Sequence, residues 1–258
     1  MCLPHVYLGG DTLNTERLTI YFSNLSRLIS DLDASVQEYL SRLKEYIKQL
    51  GAAFKTKGAY IASCNFAAIF QYGSIDAVLP SKFGEDFPRR QEQGGEQGEP
   101  SKLIYYGSCL AFETFSVILD QVGNEHVYPA VHVYLAFIWC MALNDSMGHV
   151  ELVVPWSKIA TFLNRMTHSD IDFGVIEYDE FPVTEDRKNI PEDFLIRGQV
   201  WSQYYFPANF FKDAMTEYDG RSIEVPSLSG SRIHRCWWLG RQLSKVCFIS
   251  SLFVKDNC

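Results

Sequence analysis

The sequence predicts an all-α fold: an array of antiparallel helical hairpins, α-solenoid-like in outline, with a long irregular acidic and aromatic connection before the last helix. Two observations predict it. A long run of apolar residues from Leu18 keeps helical seam spacing, and two further helix-length apolar segments are joined by a turn compact enough to fold them back on each other. With 47% hydrophobic and 14% aromatic residues over 258 positions, the chain carries enough apolar side chains for a real core, which excludes disorder throughout. The domain reading is an unassigned segment over 1–14, one helical domain over 15–253 and a tail over 254–258.

In chain order, the first seam runs through Leu18, Phe22, Leu25, Ile29, Leu32, Val36, Tyr39, Leu43, Tyr46 and Leu50, in steps of three and four. Tyr21, Leu28, Leu40 and Ile47 widen the stripe beyond a coiled-coil seam, which suits packing inside a larger array, and Asp31 and Asp33 are candidate break points. A second helix is expected over Ala59–Tyr72, stopping at Gly73. Residues 80–100 hold little that is apolar beyond Phe83 and Phe87, and read as a mobile loop inserted in the domain. Leu103–Gln121 and Val131–Leu143 form a hairpin about the turn at Gly123, Asn124 and Pro129. Val131–Leu143 contains His132 and is too short to span a bilayer, so it reads as a core helix. Over Val154–Met166, Pro155 opens a short amphipathic helix with Trp156, Ile159, Phe162 and Leu163 on one face. His168–Asp193 carries nine carboxylates against Arg187 and Lys188 and reads as an irregular, solvated connection. The last helix is expected over Ser231–Leu252.

The chemistry-bearing motifs are sparse. Asp172-Phe173-Gly174 copies the kinase metal-binding tripeptide without a glycine-rich loop, strand lysine or catalytic loop before it, and the Asp170/Asp172 pair sits in an acidic stretch where such spacing arises by chance. The six histidines never fall at i,i+4, and the pairs Cys2/His5 and His234/Cys236 do not complete a four-ligand set. No metal site, cofactor or catalytic residue is therefore expected. Seven widely spaced cysteines without a CxxC pair read as buried free thiols of a reducing compartment, and Met1–Gly10 lacks the order of a secretory signal.

Charge is more informative. A net charge of −8 opposes indiscriminate attraction to phosphate, so nucleic-acid contact needs a local basic face. Ser231–Val254 supplies one, with Arg232, Arg235, Arg241 and Lys245 and no acid, and Lys44, Lys48, Lys55 and Lys57 gather near the end of the first helix. Arg235 shares a helix face with Trp238, the pairing of guanidinium and ring that stacked bases and phosphates use. The alternative is that these arginines pair with the acidic stretch upstream. Both readings stay open at this level.

The segments PWSKIATFLN, PEDFLIRGQVWSQYYFPANFFKDAM and RSIEVPSLSGSRIHRCWWLGRQL resemble, in that order, the fungal branch of the telomerase-associated "ever shorter telomeres" family, whose animal relatives are the SMG nonsense-mediated-decay factors. Pro191-Glu192-Asp193-Phe194 with Arg197-Gly198 is the sharpest part of the likeness, which extends over Ala59–Lys245. The resemblance implies an array of α-hairpins of DNA/RNA-binding type. It also implies a non-enzymatic nucleic-acid or ribonucleoprotein adaptor in telomere maintenance (telomerase recruitment) or mRNA decay, nuclear with shuttling to the cytoplasm. The partners it implies are single-stranded telomeric DNA or RNA and the proteins of those complexes, with no membrane. The family's 14-3-3-like repeat domain and PIN nuclease domain are not matched, so neither phosphopeptide binding nor nuclease activity is carried over. The competing expectation is a protein-interaction scaffold without nucleic-acid binding.

Within the signature, Glu192 and Asp193 are candidate helix caps, Gly198 a place of close backbone approach, and Trp201, Tyr204, Tyr205, Phe206, Phe210 and Phe211 a packing cluster. Arg197 is a candidate for a buried ion pair or a phosphate contact.

Overall fold

The computed structural model describes residues 32–74, 77–83, 102–166, 180–182, 189–212 and 228–246, and all regular structure among them is helical, as the sequence predicts. The expected start of the first seam, residues 84–100 of the loop expected over 80–100, the kinase-like tripeptide and most of the acidic stretch lie outside the described residues, while the first four residues of that loop, Pro80–Phe83, are helical with Phe83 fully buried and so do not form the mobile segment expected.

Helix α1 (Leu32–Leu50) buries Tyr39, Leu40, Leu43 and Ile47 on one face. Gly51, at φ +49°, opens a 3-10 turn that leads into α2 (Phe54–Ile69). This helix starts five residues before the expected Ala59, because Phe54 is fully buried and folds its ring over Gly58, one turn on; a Cβ there would lie 2.6 Å from the ring. It also ends earlier than expected. Gln71 and Tyr72 both take φ of 51° before Gly73 at φ +71°, so the stop is a left-handed run and not a single glycine cap.

After the short α3 (Pro80–Phe83), α4 (Lys102–Leu119) crosses α2 closely enough that a Cβ on Gly107 would sit 3.3 Å from the backbone nitrogen of Ile69. Gly123, at φ +81°, and Asn124, whose Oδ1 accepts from the His126 N–H at 3.0 Å, turn the chain into α5 (Tyr128–Leu143), which carries Pro129 in its first turn. The predicted hairpin of α4 and α5 is present, with Phe115 stacked on Tyr134 at 4.2 Å. Helix α6 (Trp156–Arg165) follows, burying Ile159, Ala160, Phe162 and Leu163. Residues 189–212 contain α7 (Pro191–Ile196) and a 3-10 turn over Val200–Ser202, so the connection expected to be irregular is partly helical. Helix α8 (Leu228–Val246) begins three residues before its expected start.

The hairpins stack in two layers. Helices α1, α4 and α6 touch in sequence in one layer, α2, α5 and α8 in the other, and α4 packs across against α2 and α5. This is the serial contact pattern of a helical solenoid. As the middle member of its layer, α5 is covered on all sides: every residue is buried except Trp139, Ala142 and Leu143. Glu125–Leu143 is long and apolar enough to cross a bilayer by length and composition, yet 78% of that window is buried inside the protein, which is how a helix apolar on all faces sits in a core.

A buried charge frame beneath a cleft

Helix α7 lies against α2 and α5 and is built to place two carboxylates inward. Pro191 occupies its first position, where a missing N–H costs nothing. Asp193 caps it through Oδ2, which accepts from the Ile190 N–H at 2.9 Å, so one half of the expected capping role holds. Gly198 ends the element at φ +80°. Space around it is open, so glycine is needed there for its backbone conformation and not for the close approach expected.

Glu192 and Asp193 are 3% and 0% exposed, and the first turns of α8 bring Arg232 (1%) and Arg235 (3%) to meet them. Arg232 grips Glu192 bidentately, Nε to Oε1 at 2.5 Å and Nη2 to Oε2 at 3.0 Å. Arg235 donates from Nη1 to Asp193 Oδ1. Its guanidinium also lies 4.8 Å from the Phe181 ring centroid and 5.0 Å from that of Phe210. These rings seal the pair from water and supply cation–π attraction where it is strongest, in a desolvated site.

His132 of α5 completes the frame. Its Nδ1 lies 3.3 Å from Glu192 Oε1 and its Nε2 2.7 Å from the Tyr205 hydroxyl. The ionised carboxylate only accepts, so Nδ1 carries a proton, and in the neutral ring Nε2 accepts from the tyrosine O–H. Burial alone would raise the Glu192 carboxyl, but the Arg232 charge and the hydrogen bonds from His132 and Arg232 outweigh it and hold the group well below the usual carboxylate range. Burial raises the Tyr205 phenol well above 10 despite the neighbouring Arg235 charge. Desolvation opposes the charge on Arg235, and Asp193 more than restores it.

These contacts correct the expectation that Arg232 and Arg235 reach phosphates. Both side chains point inward and are consumed by the last two members of the acidic stretch, the alternative the sequence left open. Arg241 is half-buried and Lys245 exposed; one turn apart on α8, they do not continue a row with the other two. Arg197, expected in a buried pair or on a phosphate, is exposed and stacks over the Phe211 ring at 4.5 Å. Of the expected packing cluster, Trp201 and Tyr205 are buried, Phe206, Phe210 and Phe211 are half-buried and Tyr204 is exposed. Trp201 lies edge-on to Phe66 and Phe137, each at 5.5 Å, and so pins the segment to α2 and α5. Gln199 adds a hydrogen bond to Ser63 at 3.1 Å.

Sequence reasoning missed His132 and Tyr205 as members of the frame. The available signal was a histidine inside an apolar run, which must find polar partners when buried. Among the described residues no group of His, Cys, Asp and Glu is arranged to hold a metal ion. The described cysteines are free thiols, Cys140 and Cys236 buried as expected and Cys64 and Cys109 only half-buried, and burial pushes each of them up, which makes them less reactive.

Above the frame opens a cleft of about 360 Å³. One wall is the first two turns of α2, with Lys55, Thr56 and Tyr60; the other is α7, with Phe194 and Leu195. Ala59, Pro129 and Pro191 are small or flat and leave the space open, while Glu192 and Arg232 reach it from the frame. No family model, no curated protein and no solved structure matches the chain.

Proposed function

We propose that this chain is a non-enzymatic helical adaptor whose cleft between α2 and α7 holds a segment of a partner protein. The observation that carries this reading is the neutralisation of Arg232 and Arg235 by Glu192 and Asp193 inside the protein. It removes two of the four members of the basic face on which phosphate binding was expected to rest, and it makes Glu192, Asp193, Arg232 and Arg235 a rigid support for a preformed cleft. The chain's net charge of −8 favours a protein partner over a polyanion. Against an enzymatic role stands the engagement of the groups that could do chemistry: both nitrogens of His132 are hydrogen-bonded and the ring is fully buried.

A second reading, a nucleic-acid adaptor of telomere maintenance or mRNA decay, is favoured by the resemblance of Pro191–Gly198 to that family. It is also favoured by Lys44 and Lys48 on successive turns near the end of α1 and by Lys55 and Lys57 in the first turn of α2. Salt-titrated anisotropy separates the two. The protein-adaptor reading expects weak binding of single-stranded RNA and telomeric-type DNA that collapses at physiological salt and is unaffected by Thr56→Trp, which fills the cleft. Tight, salt-resistant binding lost with Thr56→Trp would replace it by the second reading.

A further inference from the structure

We propose that the exposed guanidinium of Arg197, stacked on Phe211, receives a carboxylate of a partner protein, and that the phenylalanine rings around it take the apolar side chain beside that acid. The inference shares the protein partner of the adaptor reading and does not need the cleft. Of the charged residues in Pro191–Gly198, Glu192 and Asp193 are consumed in the buried frame, whereas Arg197 stands outside it. Among the described residues the Arg197 side chain makes no ion pair and no hydrogen bond; its one partner is the Phe211 ring, 4.5 Å from the guanidinium carbon. Lys212, exposed and next to Phe211, adds a second positive charge, and Glu180, exposed beside Phe181, pairs with neither. On a chain of net charge −8 this is a local positive surface, and the charge that complements it is an anion.

The guanidinium is held ready. The Arg197 backbone N–H donates to the Asp193 carbonyl at 2.9 Å, Gly198 turns the chain at φ +80°, and Gln199 ties the segment to α2 through Ser63. Stacking on Phe211 fixes the plane of the fork, so less side-chain entropy is lost when a carboxylate accepts two of its N–H groups side by side. Phe194, Phe206 and Phe210, all half-buried, lie with ring centroids 5.7, 4.8 and 5.0 Å from that of Phe211. An arginine among partly exposed aromatic rings is the composition that carries most binding energy at protein interfaces. Ring geometry favours a protein over a single-stranded nucleic acid. Phe206 and Phe210 are stacked on each other at 5.0 Å, Arg235 lies over Phe210, and Arg197 lies over Phe211. Each of these three rings has a face engaged inside the cluster, where a platform for stacked bases would keep it open.

The test is a selection of random dodecapeptides displayed on phage against the intact chain, followed by anisotropy with the enriched peptide. The expected enrichment is Asp or Glu adjacent to Leu, Ile, Phe or Tyr. Arg197→Glu is expected to weaken that peptide by about ten-fold, with the loss recovered when the peptide's acid is exchanged for lysine. Arg197→Lys, which keeps the charge and loses the fork, is expected to weaken it by about three-fold. Recovery by charge exchange is a readout that a merely misfolded variant cannot give, and Arg197 is exposed, so its exchange leaves the core in place. Enriched peptides that lack an acid, or that ignore Arg197→Glu while lost with Thr56→Trp, would overturn this inference and leave the adaptor reading standing. Peptides that need Arg197 and ignore Thr56→Trp would uphold the inference and move the partner out of the cleft. Peptides indifferent to both substitutions, or single-stranded RNA bound in their place and lost with Arg197→Glu, would overturn both.

Discussion

Replacing Glu192 by glutamine keeps the shape of the side chain and removes its charge, so that Arg232, 1% exposed, loses the carboxylate it grips bidentately. Two estimates agree on the size of the loss. Breaking a buried pair by neutralising one partner costs about 3–5 kcal/mol, and unit charges about 4 Å apart at an effective dielectric of about 20 attract by about 4 kcal/mol. For a chain of this length that is a fall in Tm of about 6–20 °C. Urea denaturation of Glu192→Gln with an unchanged m-value, alongside a thermal melt, reads the loss directly. The double variant Glu192→Gln/Arg232→Met removes the cation as well while the amide oxygen still accepts from His132, and should recover at least half of it. A loss under about 1 kcal/mol, the size of an exposed ion pair, or a double variant no better than the single one, would refute the claim that these charges form a buried structural frame.

Further outcomes follow from the same geometry. Because the folded-state Glu192 carboxyl is depressed, the unfolded chain takes up that proton first. The stabilisation is therefore complete above about pH 4.5 and is lost as pH falls toward the folded value, so the gap between wild type and Glu192→Gln in urea midpoints should narrow progressively below that pH. At the alkaline end Tyr39 titrates at about 12 and Tyr205 later than an ordinary phenol, both because they are buried. Phenolate absorbance should show them ionising late, with stability falling above pH 10 as the unfolded chain ionises first, and Tyr205→Phe should flatten part of that fall. Gly107→Ala should cost about 1–3 kcal/mol, since the atoms a methyl would meet are the backbone of Ala68 and Ile69 and cannot swing away. Gly198→Ala should cost about 1–2 kcal/mol through its positive φ alone, with Gly198→Asn recovering much of the loss in the same assay.

The fold was legible wherever local patterning and tertiary role agree. Helix α5 was readable because its apolar run follows the Gly123-Asn124 turn, although it starts at Tyr128 and takes in Pro129, which the sequence reading left in the turn, and α6 was readable because its stripe and Pro155 coincide. The start of α2 was not, since Lys55, Thr56, Lys57 and Gly58 read as a break in the pattern until Phe54 folds its ring over the glycine. Helix α7 hid inside an acidic stretch whose charges suggested solvation, although Pro191 and Asp193 together spell a helix start. The site was legible in its members and not in its partnerships. Glu192, Asp193, Arg232 and Arg235 all stood out from the sequence, yet 40 residues separate Glu192 from Arg232 and 42 separate Asp193 from Arg235. Only the docking of α8 on α5 decides that these arginines face inward. A charged residue on a helix is exposed by default, and the departure from that default is a tertiary fact. The cleft was invisible for the same reason, because its two walls come from helices more than a hundred residues apart.

The central claim is that Arg232 and Arg235 belong to the interior and that binding happens in the cleft they support. Its most direct test is photocrosslinking with a benzoylphenylalanine placed in the intact chain at Thr56, in the cleft, or at Gln37, exposed on α1. The account predicts a discrete protein adduct from position 56, absent from position 37 and competed away by a cleft-binding peptide. Adducts to nucleic acid from position 56, or protein adducts formed equally from both positions, would contradict it.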